Sequence, residues 1–154
     1  MTALSANTLY AAPLPRLDQS YLLTEARADV SSAAAGNLLS GIYRYAKSGT
    51  TRLLKLVPGT SATISTAVAG VIKSTLAGTA RLSPREQYFA GVIYTSSSPQ
   101  VVSKRSARGF GVGVLKYTSQ TSLPDELDPD IGTIEYPKEY PIVAYLNGEA
   151  ADVL

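Results

Sequence analysis

Three glycines at alternate positions, Gly109, Gly111 and Gly113, have a spacing that could suit phosphate binding. A dinucleotide-binding loop needs the pattern G-x-G-x-x-G after a strand and at the start of a helix. Here Val114 stands where the last glycine is required, and the polar residues after Tyr117 do not continue as a helix. The alternation instead predicts a strand whose glycine face lets another chain segment approach closely. The sequence therefore predicts no cofactor.

The acidic stretch at 125–135 raises two further possibilities, a calcium site and a pair of catalytic carboxylates. With Asp128 as the first ligand of a calcium loop, Asp130 would be the third and Glu139 the twelfth. The sixth position needs glycine for a sharp turn, and it is Thr133. Glycoside hydrolysis needs a fixed separation between two carboxylates, which a proline-rich stretch does not indicate. We predict a solvated acidic loop and no metal.

Residue types that are absent exclude the commonest catalytic sites. The chain has no histidine and no cysteine, which removes the Ser-His-Asp triad, thiolate metal sites and disulfides. It also lacks the nucleophile motifs G-x-S-x-G and S-x-x-K. We therefore expect a protein that is not an enzyme. A histidine-free hydrolase acting through acids near 125–139 is the remaining enzymatic alternative.

The charges are few and unevenly distributed. Charged residues make up 17% of the chain, below the ~25% usual for soluble domains. Residues 40–117 contain eleven Lys or Arg and one acid, whereas residues 118–154 contain eight acids and one lysine. The acidic part can lie over the basic part of the same molecule, or it can meet the basic side of a neighbour and fix its orientation. Both readings stay open.

One basic cluster could contact an anionic polymer. Lys104, Arg105 and Arg108 lie close together in the sequence, but no aromatic residues alternate with them as in proteins that bind single strands. The pattern therefore disfavours nucleic acid and leaves a protein contact or a solvated loop.

The beginning of the chain predicts an arm followed by a helix. Residues 1–19 have no periodicity, and Pro13 and Pro15 favour an extended arm in which Tyr10 and both prolines contact a partner. Deleting this arm is expected to weaken assembly more than folding. From 20 to 36, apolar residues recur at helical spacing. We expect no signal peptide and no membrane span, because the apolar runs are short.

Strand patterns dominate the rest of the chain, so residues 20–154 are predicted to form a single β-rich domain, a sandwich or small barrel. GIYRYAK and TTRLLKLV, joined at Ser48-Gly49, predict a hairpin that Pro58-Gly59 closes. SATISTAVAGVI predicts a strand pair or a strand bent at Gly70. Residues 119–141 form an acidic, proline-rich loop, and Asn-Gly at 147–148 predicts a final hairpin over 142–154.

The segments GIYRYAKSGTTRLLKLV, AGVI, AGVIY and IVAYLNGEAADVL resemble the small cement or decoration proteins on the outside of tailed-phage capsids. The resemblance covers roughly residues 38–154. It implies a β-rich structural virion protein on the capsid exterior, which binds the major capsid protein or other virion subunits, often as a trimer. Alternatives are a tail or head-tail connector component, and a binding module for an anionic polymer.

Overall fold

The computed structural model describes residues 7–14, 16–30, 33–76, 80–95, 114–135 and 144–146. Within these residues every regular element is a strand and all pairing is antiparallel. The mainly β fold predicted from the sequence is confirmed. The strands are β1 (Leu9–Pro13), β2 (Tyr21–Leu22), β3 (Glu25–Val30), β4 (Asn37–Ser48), β5 (Thr51–Leu56), β6 (Ala62–Ser65), β7 (Gly70–Thr75), β8 (Arg81–Leu82), β9 (Tyr88–Tyr94), β10 (Val114–Tyr117), β11 (Glu126–Leu127), β12 (Thr133–Glu135) and β13 (Ala144–Leu146).

The largest sheet is curled, and the chain connectivity requires the curl. Its strands run in the order β11-β5-β4-β9-β1-β10-β12, and β6 also pairs with β4. In a flat sheet the six spacings between β11 and β12 would separate them by about 29 Å. The chain from Leu127 to Thr133 spans only about 20 Å when fully extended. The two edges must therefore approach each other, which gives the half-barrel shape.

Side chains on the convex face of this sheet form one buried cluster, called here the convex core. Two smaller sheets supply the rest of it, β13-β3-β7 and β2-β8. Alternate residues of the long strand β4 point into this cluster because successive side chains of a strand point to opposite faces. Its fully buried members include Leu23, Ala26, Leu38, Ile42, Ile64 and Leu82.

The concave face holds a second cluster, the concave core, built almost entirely from the curled sheet itself. Leu54 on β5 and Tyr117 on β10 belong to the same cluster although three strands separate β5 from β10 in the sheet. This proximity follows from the curl. The buried members are Leu9, Ala11, Tyr43, Leu54, Ile93, Leu115, Tyr117 and Leu127.

The predicted β4–β5 hairpin is confirmed, with its turn shifted by one residue. Ser48 pairs with Thr51, so the turn residues are Gly49 and Thr50. Gly49 has a φ of 61°, a conformation that glycine adopts without strain. The chain then turns at Pro58-Gly59, and β6 pairs with the beginning of β4 on the side where β5 pairs with its end.

Thr60 closes the gap between β5 and β6 along β4. The Ile42 N–H donates to Thr60 Oγ1 at 3.0 Å, and that hydroxyl donates to the Val57 carbonyl oxygen at 2.7 Å. Thr60 is fully buried. Its side chain thus satisfies a backbone donor that would otherwise cost free energy where the ladder is interrupted.

The predicted helix over 20–36 is wrong, because this segment forms β2 and β3. Its apolar residues fit helical spacing, but Ala26, Ala28 and Val30 also fit a period of two. Pairing with β7 along the whole of β3 satisfies the backbone groups and buries these three side chains. Glu25 and Arg27 form an ion pair on the opposite face. Tertiary pairing therefore decided between two periods that a short segment satisfies equally.

The predicted arm over 1–19 is also wrong for the residues that form β1. This strand lies inside the large sheet, paired with β9 on one side and β10 on the other. Leu9 and Ala11 are completely buried, and Tyr10 and Ala12 nearly so. A continuous run of apolar residues is typical of a strand buried on both faces. Because Leu9 and Ala11 are core residues, we expect deletion of residues 1–19 to weaken folding strongly, contrary to the prediction that it weakens assembly more than folding.

The remaining apolar and glycine-rich segments form strands where the structure describes them. SATISTAVAGVI forms two strands, β6 and β7, which belong to different sheets. The apolar run at 87–95 forms β9. Of the glycine-rich stretch only the end, β10, can be described, and the alternating glycines 109–113 lie outside the described residues. The same holds for Asn-Gly at 147–148, whereas 144–146 pair with β3 as β13.

Candidate functional sites

The predicted partner-binding residues of the N-terminal segment are positioned by β1. The Tyr10 side chain is 8% exposed, so it contributes to packing and offers little surface to a partner. Pro13 ends β1 opposite Phe89 and is partly buried. Pro15 lies outside the described residues, as do Lys104, Arg105 and Arg108 of the basic loop.

Two tyrosines of the concave core hold the first part of the acidic loop. Tyr43 donates its hydroxyl hydrogen to the Pro124 carbonyl oxygen at 2.7 Å, and Tyr117 donates to the Asp128 carbonyl oxygen at 2.8 Å. Burial, and then the negative charges of Asp128 and Asp130, raise the pKa of Tyr117 to about 12. The Tyr117 hydroxyl stays protonated at neutral pH. Both tyrosines fix the loop by its backbone.

Two acids of this loop, Asp128 and Asp130, make contacts within the protein. Asp128 Oδ1 accepts a hydrogen bond from the Asp130 N–H at 2.8 Å, and Asp130 forms an ion pair with Arg52. Among the described residues no three His, Cys, Asp or Glu side chains are grouped to hold a metal ion. Glu139, the twelfth position of the calcium pattern, lies outside the described residues. Within its described part, the loop therefore serves to cover the concave core.

A basic cleft opens on the convex face, and sequence reasoning did not find it. Arg44 on β4, Lys55 on β5 and Arg81 on β8 line it together with Tyr88. Its volume is about 320 Å³. Tyr88 Oη accepts a hydrogen bond from the Ser83 N–H at 2.8 Å, which links the cleft floor to the segment after β8. The arrangement can attract an anion because three cations converge in a concave space.

The free edge of β7 is a second surface that the sequence did not indicate. Among the described strands, none pairs with the side of β7 that faces away from β3. Val71 on this strand is 58% exposed, and Val68 just before it is 63% exposed. An unpaired edge presents backbone N–H and C=O groups to which another strand can bind.

The sequence contained partial signals for these two surfaces. The excess of Lys and Arg over 40–117 predicted a basic region. The three cations of the cleft come from three different strands, however, and only the folded chain brings them together. The exposed valines of the β7 edge lie in the apolar stretch that was predicted as a strand pair or a bent strand, a prediction that does not indicate an unpaired edge.

Comparison of the chain with protein-family models, with curated proteins and with solved structures finds no match. No helix in the described part of the chain is long and apolar enough to cross a membrane.

Proposed function

We propose that this chain is a non-enzymatic structural subunit of a phage virion, a decoration protein that binds the major capsid protein on the capsid exterior and reinforces the shell. The resemblance of several segments to cement proteins supports this role. So does the absence of any histidine or cysteine. The β7 edge, which no strand of the described residues covers, is the observation that carries the proposal, because a structural subunit must offer a surface to which other chains can bind.

The proposed contact adds a strand from a second copy to β7. Main-chain hydrogen bonds supply affinity, and the exposed Val68 and Val71 are buried by the partner. A closed trimer needs a heterologous contact, in which the β7 edge of one copy meets a different surface of the next. Lys73, exposed on β7, then faces acidic residues such as Asp125 and Glu126, which are exposed on the loop.

The first test is the absolute mass of the purified chain by light scattering behind a sizing column, at low and high salt. A discrete oligomer, trimeric under this proposal, supports the assembly role. Val71→Lys places a charge on the edge and is expected to shift the mass to monomer with the thermal unfolding midpoint retained. Thr63→Lys is the matched control, because Thr63 is exposed on β6 in the other sheet.

A monomer at every salt and concentration would overturn self-association through β7. Equal loss of assembly in both lysine variants would show that added charge, and not the edge, is responsible.

The virion location is tested separately by quantitative mass spectrometry of gradient-purified particles from the source of the gene. A copy number proportional to that of the major capsid protein supports decoration. A few copies per particle would favour the tail or connector alternative, and absence from particles would overturn the virion role.

A further inference from the structure

We propose that the basic cleft is a binding site for a phosphate monoester, a function separate from the assembly role. The cleft lies between the large sheet and the small β2-β8 sheet, so both sheets contribute to it. It is distant in sequence from the basic loop and does not depend on it.

The floor of the cleft is a row of neighbouring residues across three strands. Lys55 on β5 pairs with Arg44 on β4, which in turn pairs with Tyr88 on β9. Side chains directly opposite each other in an antiparallel ladder have Cβ atoms about 5 Å apart, and like charges there are destabilising. Lys55 and Arg44 are therefore close enough to repel each other, and the nearest acids are Glu86, in contact with Arg44, and Glu126, opposite Lys55. A bound anion between the two cations would relieve this repulsion.

The third cation comes from a different sheet. Arg81 lies on β8 of the small β2-β8 sheet and lines the same cleft. Three positive groups thus surround the space from two layers, and none of the described residues lining the cleft is acidic. Clefts lined by one sign of charge concentrate the field and raise the local concentration of counter-ions.

Two acids lie near the cleft but are not among the residues that line it. Glu86 contacts Arg44 with 3.7 Å between Oε1 and Nη1, and both side chains are well exposed, at 38% and 42%. Glu126 pairs in register with Lys55, and no ion pair joins the two. The side chains of Lys55 and Arg81 have no ionic partner among the described residues. They remain available to a ligand.

The chemical class of the ligand follows from the hydrogen-bond donors and the apolar residues that line the cleft. Guanidinium groups present planar N–H forks that match phosphate oxygens, and a lysine adds a point charge. A phosphate monoester carries a charge of about −1.5 to −2 at neutral pH, which suits several cations better than a single carboxylate does. Pro58 and the Tyr88 ring also line the cleft and offer apolar contact to the organic group of the ester. The volume suits a small ligand, near the lower end of ordinary ligand pockets.

The test is a calorimetric and amide-NMR titration with phenyl phosphate in a phosphate-free buffer. We expect saturable one-to-one binding, with shifts centred on β4, β5 and β8, and weaker binding of inorganic phosphate, which lacks the ring. Phenol, which lacks the phosphate, should not bind. Raising the salt concentration should weaken binding through screening.

Two variants assign the binding to the cleft. Arg81→Gln and Lys55→Gln each remove one charged donor from an exposed side chain, and each should weaken phenyl phosphate roughly ten-fold or more. Lys47→Gln is the matched control, since it removes the same charge from an exposed position near the end of β4, outside the lining of the cleft, and should leave affinity unchanged. Equal thermal midpoints confirm that all variants fold.

Two results would overturn the proposal: no saturable binding by the wild-type chain, or equal weakening by Lys47→Gln. An oligonucleotide without a terminal phosphate distinguishes a monoester site from a general polyanion surface. If it binds in the cleft as tightly as phenyl phosphate and loses affinity equally in Arg81→Gln, the monoester assignment is wrong.

Discussion

The two faces of the curled sheet are both buried, but by different means. On the convex face, two small sheets pack over aliphatic side chains, and the core is a layered structure of strands. On the concave face, the sheet closes largely on itself, and a loop fixed by tyrosine hydroxyls covers it. A layer of strands requires only apolar alternation. A loop has backbone polar groups that must be satisfied, and here buried tyrosines satisfy two of its carbonyls.

The difference between the two cores is also visible at two glycines. On the concave side Gly41 and Gly91 face each other across β4 and β9. A Cβ at Gly91 would lie 2.7 Å from Cε2 of Tyr43, so only glycine leaves room for this ring. The concave core therefore depends on close approach between ring and backbone, which a layered core does not need.

The largest expected effect comes from removing β1, which lies between β9 and β10 in the large sheet. Deletion of residues 1–13 takes Leu9 and Ala11 from the concave core and leaves β9 and β10 without the strand between them. We expect no cooperative thermal transition by near-ultraviolet circular dichroism. A deletion variant that unfolds cooperatively at the wild-type midpoint would mean that this segment is an arm after all.

A truncation in the convex core should cost less than that deletion but still reduce stability strongly. Ile42 is completely buried, and Ile42→Ala should lower the free energy of unfolding by about 2–5 kcal/mol. Urea denaturation measures the change. Ile131→Ala is the control, because Ile131 is 76% exposed and its truncation should change stability by less than about 0.5 kcal/mol. Similar losses in both would contradict the assigned burial.

The two facing glycines sharpen the description of the concave core. Gly91→Ala pushes against the Tyr43 ring and should cost about 1–3 kcal/mol. Gly41→Ala meets the end of the flexible Leu56 side chain, at 2.7 Å, and should cost less because that methyl group can move. Denaturation of the two variants side by side checks the order. The reverse order would mean that Tyr43 is not held against Gly91.

The tyrosine contact to the acidic loop predicts a pH dependence. The pKa of Tyr117 is raised from 10.0 to about 12, so folding favours the neutral phenol. Its stabilising contribution is complete below pH 10 and is lost as the pH rises through about 12. Tyr117→Phe removes the hydrogen bond to Asp128 and should cost about 1 kcal/mol at neutral pH.

The difference between wild type and Tyr117→Phe isolates the contribution of this group, because the two chains differ at no other titratable side chain. That difference should shrink as the pH rises from 10 towards 12, in urea denaturation at several pH values. A difference independent of pH would show that the phenol is not shielded in the folded protein.

The smallest effect is expected at the exposed ion pair that ties the loop to β5. Arg52 and Asp130 are about half exposed, at 48% and 51%, so Arg52→Gln should cost only about 0.2–1 kcal/mol. The loss should disappear in high salt. A loss that persists in high salt would point to a packing role for the arginine stem.

Much of the local structure was predictable from the sequence. The β4–β5 hairpin and the turn at Pro58-Gly59 follow from alternation and turn residues, which act over a few positions. The errors fell where a short segment fits two patterns. Ala26, Ala28 and Val30 suit a helix or a strand, and the run of apolar residues before Pro13 suits an arm only if nothing pairs with it.

The sequence by itself determined that the protein is mainly β, that histidine and cysteine chemistry is excluded, and that positive and negative charges are segregated. Only the tertiary structure decided that β1 is a central strand, that the sheet curls, and that Arg44, Lys55 and Arg81 share a cleft. The physical reason is the sequence separation over which each interaction acts. Composition and alternation act through neighbouring residues, whereas strand order, curl and the cleft depend on pairing between segments far apart in the chain.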